Sequence, residues 1–241
     1  MQPRLFGYSS YFLLWSLAAI ACFSLGLYLA RRDGGDVRRR LLVGALLFAL
    51  ILVGSKALYG AEAIFFPGED YVPAQFHGLA HGFRIPGGIA LVGVVAPFVV
   101  RLAGLPWPRF GDRFVVVVAV MTVFIRIGCL MNGCCFGRVS SLPWTVTFPR
   151  ESWAFYYQVT RGQIAPSAEA PLPVHPLQIY FIIAALITLG VIVWQLNRVE
   201  EAGLPYLTFF AMFFASTLIL EPLRANHLTL NNWLVLAGTV T

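Results

Sequence analysis

The chain has 241 residues, of which 59% are hydrophobic and only 12% charged, with a mean hydropathy of +0.76. An ordinary soluble domain is about 45–50% apolar and about 25% charged, so the composition excludes a soluble enzyme and indicates an integral membrane protein. The net charge of +6 is dispersed among apolar spans, which points to anionic lipid rather than nucleic acid as the partner.

Long apolar runs without period-2 alternation predict membrane-spanning helices, not a barrel. Seven spans are expected, near 11–30, 41–64, 86–103, 113–130, 176–196, 205–222 and 228–241, the last of them short. The expected architecture is all-α: a single polytopic membrane domain, 1–241, with about seven transmembrane helices. The first span is too long for a signal peptide and lacks a small-residue cleavage site, so it reads as a retained helix. The short loop Arg31–Arg40 holds five arginines and belongs on the cytoplasmic side. Arg101, Arg109 and Arg113 place the next basic connection on that side as well. The N-terminus is then outside and the C-terminus cytoplasmic. The segments near 65–85 and 131–175, with the turn at 223–227, fall on the outer face. Trp144, Trp153, Tyr156 and Tyr157 among prolines predict that part of 131–175 lies at headgroup level.

Polar residues interrupt these spans at a few places. The second span carries Gly54-Ser-Lys-Ala-Leu-Tyr59 and Glu62; Lys56 and Glu62 are not one turn apart, so at least one pairs with another helix. His77, His81 and Arg84 precede Ile85-Pro-Gly-Gly-Ile89, where Gly87 and Gly88 serve either anion binding at a helix start or close helix packing. Both readings stand at this stage.

The most informative segment is Arg126-Ile-Gly-Cys-Leu-Met-Asn-Gly-Cys-Cys-Phe-Gly-Arg138, which follows the apolar run Phe114–Ile125. A guanidinium beside hydrocarbon is costly and normally has an anionic partner. At a bilayer face the available anion is a lipid phosphate, which Arg126 and Arg138 can each grip with two prongs. Asn132 adds a donor and an acceptor, while Gly128, Gly133 and Gly137 allow close backbone approach. Cys129, Cys134 and Cys135 include no Cys-x-x-Cys and no histidine at ligand spacing, so no metal is expected. A thiol-based redox role for Cys134 and Cys135 is a third-ranked reading.

Val174-His-Pro-Leu-Gln-Ile-Tyr180 opens the fifth span, with Pro176 in its first turn and His175, Gln178 and Tyr180 as polar handles. Glu221-Pro-Leu-Arg224 closes the sixth span with a spacing that permits an ion pair.

Together these elements resemble the prolipoprotein diacylglyceryl transferase family of bacterial membrane enzymes. Arg126–Arg138 is similar to the family signature, Val174–Tyr180 to its His-Pro-x-Gln-x-Tyr element, and Glu221–Arg224 to its Glu-x-x-Arg. Ser10-Tyr11, Gly54–Tyr59 and Pro86-Gly-Gly88 fall in the expected order as well. The resemblance implies transfer of a diacylglyceryl group from phosphatidylglycerol to the lipobox cysteine of a preprolipoprotein signal peptide, in the bacterial inner membrane and without a cofactor. It implies catalytic roles for Arg126 and Arg224, with His81, from the loop before Pro86, as the candidate base. Substrate binding would fall to Tyr11, Gly87, Gly88, Asn132, Gly133, Gly137, Arg138, His175, Gln178 and Glu221. The chain departs from the pattern at Pro86, which replaces a histidine, at Cys129 for an asparagine, at Thr217 for an arginine and at Phe213 for a tyrosine. The anion-holding half is thus better matched than the proton-handling half. The alternative is a phospholipid-binding or lipid-translocating protein on the same fold, without catalysis.

Overall fold

The computed structural model describes residues 4–5, 8–65, 83–150 and 152–225. Two short antiparallel strands, β1 (Arg4–Leu5) and β2 (Tyr8–Ser9), lead into a helical bundle. The helices are α1 (Ser10–Arg32), α2 (Val37–Phe65), α3 (Ile85–Leu102), α4 (Trp107–Asn132), the short α5 (Trp153–Thr160), α6 (Leu177–Arg198) and α7 (Leu204–Leu220), followed by a single 3-10 turn, Glu221–Leu223.

Five of them (α2, α3, α4, α6 and α7 with its 3-10 turn) are long and apolar enough to cross a membrane. Leu102, Ile64, Ile219, Val94 and Phe98 are well exposed on them, an arrangement that water would penalise and hydrocarbon favours. The chain is a multi-pass membrane protein. Six predicted spans coincide with α1, α2, α3, α4, α6 and α7; the seventh, 228–241, lies outside the described residues.

Helix α4 is the central element and packs against α1, α3, α6 and α7. Its run Phe114–Ala119 is buried on every side, which is why that sequence shows no polar stripe. The helix also starts earlier than the predicted residue 113. Its first turns carry polar Asp112 and Arg113, which read as loop but are consumed by tertiary partners. The Asp112 carboxylate accepts the Gly203 N–H at 2.7 Å and the Tyr206 N–H at 3.0 Å, capping α7 from a neighbouring helix. Asp33 accepts from Arg40 at 3.2 Å and pairs with Arg113 at 3.3 Å, tying the α1–α2 loop to the start of α4. The loops after α1, α3 and α6 thereby share one end of the bundle.

Helices α2 and α3 form a close pair. A methyl group on Gly54 would stand 2.9 Å from the Gly87 carbonyl oxygen. One on Gly87 would stand 2.5 Å from the Leu58 Cβ, and Gly88 lies directly over the Ile51 carbonyl. Only glycine permits this backbone approach. Of the two readings left open for Gly87 and Gly88, the contacts carry helix packing.

Candidate active site at the end of helix α4

The site begins with the way α4 stops. Gly133 takes the left-handed conformation (φ 65°) and donates its N–H to the Leu130 carbonyl, while the Cys134 N–H returns to the Cys129 carbonyl. This Schellman arrangement satisfies two carbonyls that the helix leaves open and folds the chain back on its last turn. Two residues on, Cys135 is also left-handed, at φ 59°, and is the one non-glycine residue so placed among those described.

Phe136–Ser140 then runs extended between two other parts of the chain. The Gly137 N–H donates to the His175 carbonyl (3.0 Å), and the His175 N–H donates to the Arg138 carbonyl (3.0 Å). On the opposite edge the Arg138 N–H donates to the Leu223 carbonyl at 2.8 Å, and the Ala225 N–H to the Phe136 carbonyl at 3.3 Å. The signature, the His-Pro element and the Glu-x-x-Arg element are therefore adjacent backbones in one small ladder. Gly137 sits at the crossing, where a Cβ would stand 2.5 Å from the His175 Cβ and 2.8 Å from the Leu223 oxygen.

The ladder brings charged groups together. Arg224 forms an ion pair with Glu221, Nε to Oε1 at 3.0 Å, and Glu221 is buried. Arg126, on the last turns of α4, is 9% exposed and stacks its guanidinium 4.0 Å from the centre of the Phe181 ring. Among the described residues it meets no carboxylate. Both guanidinium groups act on Cys135. Hydrogen bonds from Cys129 and Cys134, and the positive charge of Arg224 and Arg126, hold the Cys135 thiol well below its ordinary range despite burial. Cys134 moves the other way, raised by its hydrogen bonds to Cys129 and Cys135 and by burial. Burial opposes the charged form of Arg224, but Glu221 and Cys135 outweigh it and keep the group above its usual value.

His175 is held by its neighbours. Its Nδ1 lies 3.2 Å from the Tyr180 hydroxyl, which accepts the Trp144 indole N–H at 2.8 Å. Gln178 is fully buried and donates from Nε2 to the Cys134 carbonyl at 2.6 Å, bracing the cysteine turn from α6. Arg138 is exposed and lines a cavity of about 280 Å³ together with Gly137, Tyr157, Gln158 and Ala225. Asn132 is the half-buried last residue of α4.

Glu62 does pair outside its own helix, with Arg84 at the entrance to α3, Nε to Oε2 at 2.6 Å. Pro86 stands in the first turn of α3. Thr217 spends its hydroxyl on the Phe213 carbonyl at 2.9 Å, and Phe213 is buried in an aromatic row along α7. His77 and His81 lie outside the described residues, as does the side chain of Tyr11 in the first turn of α1. Pro176 is the N-cap of α6 rather than a residue of its first turn. Sequence reading passed over Phe181, which follows the His-Pro element directly, and took Tyr157 only as an interfacial aromatic, although its hydroxyl donates to the Ala225 carbonyl at 2.8 Å. Neither residue carries a pattern that separates it from other interfacial aromatics.

The comparisons with known proteins bear on the same residues. The family described as prolipoprotein diacylglyceryl transferase matches residues 5–241. A phosphatidylglycerol–prolipoprotein diacylglyceryl transferase from Clostridium tetani is 28% identical over 156 residues, 64% of this chain and 56% of the relative. Those of Rhodopirellula baltica and Corynebacterium diphtheriae are 30% identical over 157 residues and 25% over 156, covering 31% and 53% of their own lengths. The chain spans about half the length of the curated relatives it matches, or less. With its family-wide match and its three motifs joined in one ladder, this chain belongs to the prolipoprotein diacylglyceryl transferase family.

Proposed function

We propose that this protein transfers a diacylglyceryl group from phosphatidylglycerol to the lipobox cysteine of a preprolipoprotein, in the bacterial inner membrane. The observation that carries the reading is Arg126: a guanidinium 9% exposed, on a helix apolar enough to span a bilayer, without a carboxylate among the described residues and acting together with Arg224 on Cys135. Such a site awaits an anion. Phosphatidylglycerol supplies one, and the phosphate becomes the leaving group as its bond to the diacylglyceryl carbon breaks.

Arg126 and Arg224 hold that phosphate and stabilise the charge it gains. Glu221 holds Arg224 by its Nε and so restrains the direction of the guanidinium. Asn132 and the backbone at Gly133 and Gly137 line the headgroup site, with His175, Gln178 and Arg138 at its wall. Tyr11, Gly87 and Gly88 remain part of the proposal from the family resemblance, and His81 as the candidate base in place of the histidine that Pro86 replaces. Seven spans, with the arginine-bearing loops cytoplasmic and the cysteine turn outside, complete it; the basic loops after α1 and α3 at one end favour that orientation.

The test is direct. Purified protein, phosphatidylglycerol and a lipobox peptide should give a peptide heavier by one diacylglyceryl group, and Arg126→Ala should reduce its yield by about a hundredfold or more. A wild-type protein that binds labelled phosphatidylglycerol but yields no lipidated peptide would sink the enzyme reading. It would establish the second one, a phospholipid-binding or lipid-translocating protein. That second reading is favoured by one observation: Pro86 stands where the family pattern has a histidine, and Thr217 where it has an arginine.

A further inference from the structure

Sequence spacing offers no metal motif, yet the fold gathers three sulfurs. The Sγ atoms of Cys129, Cys134 and Cys135 lie within 4.8 Å of one another. The backbone makes this placement. The Schellman turn brings Cys134 back beside the helical turn that carries Cys129, and the left-handed Cys135 redirects the third sulfur. A non-glycine residue in that region costs on the order of 1 kcal/mol, and such strain concentrates at ligand sites. From α6, fully buried Gln178 pins the turn through the Cys134 carbonyl.

The dimensions suit a small thiophilic ion. Around a tetrahedral centre with bonds of about 2.3 Å, thiolate sulfurs stand about 3.8 Å apart. The trio reaches that spacing by a contraction of about 1 Å or less. Three thiolates on a divalent ion carry one net negative charge, and the guanidinium groups of Arg126 and Arg224 are beside Cys135 to balance it. Three protein ligands also leave a fourth position open, the arrangement of zinc sites that act on a substrate.

We propose that Cys129, Cys134 and Cys135 form a three-thiolate site for Zn2+ or a similar thiophilic divalent ion, and that its fourth position takes the thiol of the acceptor cysteine. The second half rests on the transfer reading above. On coordination the acceptor thiol releases its proton to water, because a metal-bound thiol is deprotonated. The resulting thiolate displaces the phosphate at the diacylglyceryl carbon. A carbon–sulfur bond forms and the carbon–oxygen bond breaks. The electron pair leaves on the phosphate oxygen of glycerol phosphate, which Arg126 and Arg224 hold. Nothing is oxidised or reduced. The chain thus obtains a thiolate without the histidine that Pro86 replaces.

Two measurements on the full chain in detergent test this. The first titrates reduced, chelator-treated protein with Cd2+ and reads the ultraviolet sulfur-to-cadmium charge-transfer band. Wild type and Cys22→Ser should saturate at one ion per chain, whereas Cys129→Ser and Cys135→Ser should lose the band. An absent band in the folded wild type, or an undiminished one in both variants, overturns the site. The second measures lipobox peptide transfer after chelation, which should fall at least about a hundredfold and return with Zn2+. Undiminished transfer by chelated protein and by the triple Cys→Ser variant overturns the coupling while the transferase reading stands. A band at one ion per chain with no transfer by Zn2+-loaded wild type overturns the transferase reading and the acceptor role, and leaves the metal site in place.

Discussion

The two ends of this bundle both carry arginines, and they use them differently. At the end formed by the loops after α1, α3 and α6, the cations meet acids near solvent: Arg39 with Asp36, and Arg40 and Arg113 with Asp33. At the end where α4 stops, Arg224 has one buried carboxylate, Glu221, and Arg126 has an aromatic ring and no carboxylate among the described residues. At the first end these pairs fasten loops to helices, and the remaining arginines of the basic loops give it an excess of positive charge near solvent. The second holds a positive charge that its described neighbours leave unbalanced. Arginine content therefore does not mark the site. An arginine that is buried and meets no carboxylate among the described residues does.

The comparison can be broken from either end. Arg126→Ala should reduce peptide lipidation by about a hundred- to a thousandfold, the scale of a lost transition-state charge contact. Arg113→Ala, at the other end, should leave lipidation within about twofold, both followed by mass spectrometry of the lipobox peptide. Equal losses would show that the unbalanced charge is not what drives transfer.

Glycines give the next contrast. Gly137→Ala should cost about 3 kcal/mol, because a methyl group 2.5 Å from the His175 Cβ overpacks the ladder. Gly104→Ala meets only an arginine side chain at 3.6 Å and should cost about 1 kcal/mol for its left-handed backbone alone. Denaturation in mixed micelles reads both, and a Gly137 variant as stable as that of Gly104 would disprove the crossing.

Acid partners come last. Glu221→Gln leaves Arg224 without its buried carboxylate and should cost about 2–3 kcal/mol, below a fully dry pair because a fifth of the Arg224 side chain remains exposed. Asp36→Asn removes a pair whose side chains are 55% and 53% exposed, and should change stability by less than about 0.5 kcal/mol. The same melting measurement separates them.

Much of the fold was legible because membrane helices announce themselves in composition. Hydrocarbon forces the backbone to bond within each span, so an apolar run long enough to cross is a helix with few alternatives. Six of the seven expected spans coincide with helices, and the misjudged start of α4 has a clear cause. Asp112 reads as a loop residue until Gly203 and Tyr206 are seen donating to it. The ion pair Glu221–Arg224 was legible because its partners are three residues apart. The pair Glu62–Arg84 was half legible: the need for a partner showed, its identity did not. That Gly87 and Gly88 pack against α2 showed only in the tertiary structure, since a glycine pair at a helix start serves either use.

What the chain determined by itself is a polytopic helical membrane protein, with arginines, an asparagine and glycines concentrated where one helix ends. That much follows from the cost of placing each residue type in lipid or at its boundary, a local property. What only the tertiary structure decided is which of those residues meet. The ladder that joins Gly137 to His175 and Leu223 spans long stretches of chain. The turn that brings three cysteine sulfurs within 4.8 Å depends on one left-handed residue that no spacing rule foresees. Charge balance at Arg126 is a sum over such neighbours, so it exists only once the helices are packed.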